Sequence, residues 1–178
     1  DPGITVDQRG WENFKKPGRV RQEARTAWLE KLAAYKAAFP AEAAERARRL
    51  AGQLPDDLAQ SLPVFDPGKA LATRVASGQI LNALAQALPE LIGGSADLSP
   101  SNKSDVSGGG SFSAHSPDGR NIHLGVREHA MGAVTNGLAA SGGIRPYGAT
   151  FLVFSDFVRP ALRLAALMKL PVLNIFTH

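Results

Sequence analysis

The apolar positions of this chain keep a helical rhythm in its first part and gather into strand-length runs in its second. In residues 21–39, Ala24, Trp28, Leu32 and Tyr35 recur three or four apart until Pro40 interrupts them, which predicts an amphipathic helix. Residues 41–51, rich in Ala, Glu and Arg and followed by Gly52, predict a second. Residues 1–20 mix Gly, Pro and charge without apolar periodicity and read as an extended linker, and residues 61–68, with two prolines, as a hinge.

Beyond the hinge the pattern alternates. It predicts a helix over 69–88, a short buried strand over 90–95, and a polar loop over 99–120 that contains Gly108-Gly109-Gly110. Strand 121–125, helix 127–140, strand 144–154, helix 155–170 and strand 171–176 follow, with Pro160 expected near a first helical turn, where its missing N–H costs little. Strand–helix alternation with continuous apolar strands implies an α/β fold: a parallel sheet with helices on both faces, preceded by a helical arm. The expected division is an extended and helical linker over 1–68 and an α/β domain over 69–178. Ligands of such sheets gather at the carboxyl ends of the strands. The segments after Ser95, at Arg127-Glu128 and after Phe151 should therefore converge.

A hydrophobic content of 44% suits one cored domain plus an arm. The formal charge of +4 is spread along the chain, which argues against a basic nucleic-acid arm and stays compatible with anionic small substrates. Arg46, Arg48 and Arg49 lie among Glu42 and Glu45 and read as a solvated helix face. Without cysteine there is no disulfide, thiolate metal site or cysteine nucleophile. No run reaches the ~18 apolar residues of a membrane span, so the expectation is a soluble, cytoplasmic protein with no membrane partner. The chain opens without Met and stops at Thr177-His178 directly after a strand-like run, as a piece of something longer would.

Glu128 opens a predicted helix, where the dipole favours a carboxylate by about 0.3–1 kcal/mol; a helix-start carboxylate and a chemical role both fit. Phe151, Phe154 and Phe157 are three residues apart, so a helical turn there would align two rings, although from spacing alone core packing is the favoured reading. Asp97 suits an Asx turn before Pro100 or a ligand contact. Arg74 and Ser101 would suit a phosphate if they faced one cleft, and His178 ends a strand. The triple glycine lacks the G-x-G-x-x-G spacing and context of a dinucleotide or P-loop site.

Three stretches carry a resemblance: Gly94-Ser95-Ala96-Asp97-Leu98-Ser99-Pro100-Ser101-Asn102, Gly125-Val126-Arg127-Glu128-His129, and Thr150-Phe151-Leu152-Val153-Phe154-Ser155 followed by Ala165-Ala166-Leu167-Met168. In order and spacing they resemble transketolases over residues 69–178, with residues 21–60 similar to the family's linker helices. The resemblance implies an incomplete pyrimidine-binding domain of a thiamin-diphosphate enzyme that moves a two-carbon glycolaldehyde unit from a ketose phosphate to an aldose phosphate.

On that resemblance Glu128 is the catalytic residue, hydrogen-bonding N1′ of the aminopyrimidine. Phe151, Phe154 and Phe157 form the wall against which the ring stacks, and Asp97 and Leu98 lie near the thiazolium. Arg74, Ser101 and His178 bind the sugar phosphate. The family holds its diphosphate through Mg²⁺ or Ca²⁺ on a Gly-Asp-Gly segment that this chain lacks, so no metal ligand is expected here. The resemblance also implies a homodimer with the cofactor at the subunit interface, and the chain alone is expected to be inactive. A related dihydroxyacetone or deoxyxylulose-phosphate type synthase and a non-catalytic interaction domain of the same fold are the alternatives.

Overall fold

The computed structural model describes residues 7–178, in two compact units that meet between Ala47 and Arg48. The first is helical. Helix α1 spans Gln8–Ala38, so the part of the predicted linker within the described residues is helix rather than extended chain. Asp7 caps it, its side chain accepting from the Gly10 amide at 2.8 Å. Pro17 lies inside and removes one ladder hydrogen bond without ending the helix. The sequence hid these turns because Trp11, Phe14 and Val20 are too few and too irregularly spaced among Gly, Pro and charge to show a helical period. Helix α2, Pro40–Leu50, follows, and Arg46 lies over the Trp28 ring at 5.1 Å, an aromatic partner the spacing did not suggest.

The second unit is a layered α/β body. Helix α3 (Thr73–Ala87) leads to β1 (Leu91–Ser95), the short helix α4 (Ser99–Asn102), α5 (Glu128–Ser141), β2 (Arg145–Phe151), α6 (Ser155–Met168) and β3 (Leu173–Thr177). The sheet order is β1-β2-β3 with both pairs parallel, and Gly94 faces Gly148 across one pair while Ala149 faces Ile175 across the other. One core joins Leu81 and Ala85 of α3 and its C-cap Leu88 to Leu91, Val106 and Tyr147; a second joins Ala96 to Met131 of α5 and Val158 of α6. The first core takes Leu91 and Tyr147 from the sheet, and Met131 of the second lies over Gly148 of β2, as expected when parallel strands are covered by helices. Helix α5 lies against α6 so closely that a Cβ on Gly132 would stand 2.6 Å from that of Ala161.

Four boundaries differ from the sequence reading. Helix α3 starts at Thr73, because Asp66 folds residues 66–69 into a turn by accepting from the Gly68 amide at 2.9 Å. Residues 121–125 are not a strand. Two main-chain bonds, Gly93 N to Arg120 O (3.1 Å) and Ile122 N to Gly93 O (2.7 Å), lay this stretch beside β1. The Arg120 side chain then takes the Leu91 carbonyl, and Gly125 turns away with φ +67°. Strand β2 stops at Phe151 and gives way to a 3₁₀ turn over Leu152–Phe154. Pro160 sits within α6 rather than in its first turn, so it does interrupt the ladder.

The arginines at the end of α2 are not a solvated face either. Arg48 meets the buried carboxylate of Glu90 at 2.9 Å and Arg49 approaches it at 3.7 Å. A carboxylate taken out of water needs such partners.

Candidate functional site

The three parallel strands end on the same side, and the residues singled out in the sequence cluster there. Helix α5 begins at Glu128, whose main chain is the first turn and whose side chain is 8% exposed. The helix points its positive end at this carboxylate, which lowers the cost of holding it out of water. Fully buried Thr150, next to last in β2, donates its hydroxyl to Glu128 Oε1 at 3.4 Å. Thr150 escaped the sequence reading, and strand alternation was the available signal: it shares a sheet face with Gly148, which lies under Met131 of α5.

The phenylalanines belong to neither core cluster, so packing does not account for them. Phe151 and Phe154 stack at 6.1 Å with their planes 14° apart, because the 3₁₀ turn brings residues three apart onto one side. Phe157 continues the row at 6.4 Å from Phe154 and is 62% exposed. Half-buried rings at a strand end offer a face to a flat ligand.

His178 follows β3 and packs on Phe151 at 4.3 Å, while its Nε2 lies 3.0 Å from Arg74 Nη1. Arg74 stands in the first turn of α3, so the aromatic row and the α3 arginine meet through one imidazole. A guanidinium beside an exposed imidazole is chemistry suited to an anionic oxygen.

Asp97, Leu98 and Ser101 form another group at the end of β1. Among the described residues no hydrogen bond joins them to Glu128. Asp97 is exposed with φ +62°, the Leu98 amide donates to Ser95 Oγ at 3.1 Å, and Ser101 is exposed on α4. Asp97 lines a small hollow of about 30 Å³ with Ser95, Asn121 and His123. No three described His, Asp or Glu residues are grouped as metal ligands, and no described helix is long and apolar enough to cross a membrane.

Two supports of the sheet, away from this end, were not legible in the sequence. Arg120 donates to the carbonyls of Ala85 (2.8 Å), Leu88 (2.7 Å) and Leu91 (2.9 and 2.8 Å), joining the end of α3 to β1, and burial lowers its pKa. Tyr147 is fully buried in β2 and donates to the Ser104 carbonyl at 2.8 Å. Burial, followed by the charge of Asp105, raises its phenol pKa well above the usual value.

Residues 69–178 match the family model described as transketolase, pyrimidine binding domain. A transketolase of Geobacillus stearothermophilus is 54% identical over 164 residues, which is 92% of this chain and 24% of that protein. The Bacillus subtilis transketolase is 49% identical over 177 residues, 97% of this chain and 26% of that protein. Among solved structures, transketolase from Leishmania mexicana superposes with a TM-score of 0.89 at 42% identity, covering 96% of this chain and 25% of that one. A Pichia stipitis transketolase in complex with sedoheptulose 7-phosphate gives 0.87 at 40% identity, covering 96% and 26%. The chain thus spans about a quarter of the length of these relatives. A match over most of the α/β body, with relatives this similar and the same fold, means that the chain belongs to the transketolase family and carries its pyrimidine-binding domain.

Proposed function

We propose that this chain supplies the pyrimidine-binding half of a thiamin-diphosphate site in an enzyme that transfers a two-carbon glycolaldehyde unit from a ketose phosphate to an aldose phosphate. The observation that carries the reading is Glu128: a buried carboxylate at a helix start with a threonine hydroxyl at 3.4 Å, at the strand end where Phe151 and Phe154 stack. These residues fit an aminopyrimidine, which needs an acid partner for a ring nitrogen and a flat apolar wall. Thiamin diphosphate, when bound, supplies the electron sink for breaking the carbon–carbon bond.

Glu128 holds the proton shared with the ring nitrogen, and Thr150 orients the carboxylate. Phe151, Phe154 and Phe157 exclude water from one side of the ring. Asp97 and Leu98 border the thiazolium end, and Arg74, Ser101 and His178 take the substrate phosphate. Mg²⁺ or Ca²⁺ and the diphosphate are held by residues outside this chain, in a cytoplasmic homodimer with the site at the subunit interface.

The test uses the enzyme that contains this chain together with a diphosphate-binding domain. With D-xylulose 5-phosphate and D-ribose 5-phosphate it should form product, and Glu128→Ala should lower the rate by about 10² or more. Carbon transfer from pyruvate alone would instead assign a related synthase. Absence of thiamin-diphosphate binding in calorimetry with Mg²⁺ would leave an interaction domain.

A further inference from the structure

Helix α4 should not hold its shape unaided. It is four residues long, far below the ~12 at which isolated helices become even marginal, and it lies between two non-glycine residues in the left-handed region, Asp97 at φ +62° and Lys103 at φ +57°. Such conformations persist only where the surroundings over-determine them.

The surroundings here are one buried polar network. Asn102, 1% exposed, donates from Nδ2 to Ser95 Oγ at 3.0 Å and accepts at Oδ1 from Ser104 Oγ at 2.6 Å. Ser95 Oγ also accepts from the Leu98 amide, and the Ser104 carbonyl accepts from Tyr147 Oη. The Asn102 amide therefore bridges the last residue of β1 to the residue that β2 anchors. Ser101 precedes it directly and is presented to solvent on the same four-residue helix.

We propose that Asn102 is a positioning residue: through its bonds to Ser95 and Ser104 it sets where Ser101 stands relative to Arg74, and so sets the preference of this site for a phosphorylated over an unphosphorylated sugar. The inference rests on the phosphate role given to Arg74 and Ser101 above. An aspartate in its place keeps the shape of the amide but loses the donor, leaving an acceptor against Ser95 Oγ. Both serines can then donate to it while Ser95 Oγ still accepts from the Leu98 amide, so the network persists with the Ser95 hydroxyl turned round and a carboxylate held out of water. The turned hydroxyl and the buried charge shift Ser101, and the melting temperature reads what that charge costs the core.

The experiment measures kcat and KM of the full enzyme for D-xylulose 5-phosphate and for D-xylulose, in the parent, Asn102→Asp, Ser104→Ala and Arg74→Ala, with melting temperatures alongside. Asn102→Asp should lower the ratio of kcat/KM for the phosphorylated over the free sugar by about tenfold, mainly through KM. Ser104→Ala, which disturbs only the far side of the amide, should lower it less. A purely structural role would lower the active fraction for both sugars alike and leave the ratio unchanged. An unchanged ratio in Asn102→Asp, or in Ser104→Ala if the first variant does not fold, overturns the inference. An unchanged ratio in Arg74→Ala overturns the phosphate reading beneath it.

Discussion

Gly132 offers a test of how α5, and with it Glu128, is held. An alanine there would bring its Cβ to 2.6 Å from Ala161 Cβ and 3.2 Å from Val158 Cγ1, against the ~3.5–4.0 Å at which carbon atoms pack best. The shortfall of roughly 1 Å falls on two buried residues of α6, and overpacking of this kind costs about 1–3 kcal/mol. Opposing it, Gly→Ala inside a helix contributes about 1 kcal/mol through propensity.

The same helix holds a reference, because a Cβ on Gly137 would meet nothing within 4 Å. Gly137→Ala should therefore stabilise the protein by about 1 kcal/mol, and Gly132→Ala should fall short of it by about 1–3 kcal/mol. Urea unfolding of both single variants, of Ala161→Gly, and of Gly132→Ala combined with Ala161→Gly isolates the steric part as a coupling energy. Equal stabilisation by the two alanines, or strict additivity with Ala161→Gly, would refute the close approach of α5 to α6. Since Gly132 is one turn from Glu128, the strained variant should also bind thiamin diphosphate more weakly than Gly137→Ala in the full enzyme.

Arg120→Met should cost about 3 kcal/mol in urea unfolding, because the carbonyls of Ala85, Leu88 and Leu91 lose a charged donor together; a loss below about 1 kcal/mol would mean that water replaces it. The Tyr147 phenol, raised by burial, keeps its proton in the folded state after the unfolded chain begins to lose it. Stability should thus be complete below pH ~10 and fall above it, by up to about 1.4 kcal/mol per pH unit, a slope that Tyr147→Phe should remove. Glu90→Ala should destabilise by about 3–5 kcal/mol, since the Arg48 guanidinium loses its buried carboxylate, and Glu90→Gln by less. Unchanged denaturation midpoints in both variants would place that pair among exposed ones of little value.

Much of the fold was written in local pattern. The helix–strand alternation after residue 69 was readable because continuous apolar runs at strand length and three-to-four spacing report burial directly. What failed were ends and polar segments. A turn folded by Asp66, a 3₁₀ turn after Phe151 and a proline accommodated within α6 depend on hydrogen bonds that spacing does not encode. The α1 turns before residue 21 were missed because Trp11, Phe14 and Val20, all exposed, sustain no period among the Gly, Pro and charged positions.

At the site, the residue types and their order were legible. Glu128, the three phenylalanines, Asp97, Leu98, Arg74, Ser101 and His178 stood out by resemblance, and the parallel alternation placed the segments after Ser95, at Glu128 and after Phe151 at one edge. The sequence by itself determined that an α/β sheet would carry a carboxylate, a row of rings and a set of polar groups on its carboxyl edge, because periodicity and strand direction are local properties. Tertiary structure alone decided which of them meet. Thr150 reaches Glu128 only because α5 lies across β2, and His178 joins Phe151 to Arg74 only because β3 ends beside α3. Asn102 steadies Ser101 only because Ser95 and Ser104, each distant from it in direction though near in sequence, are turned toward it in the core. Contacts of that kind arise from packing between elements, which no local spacing contains.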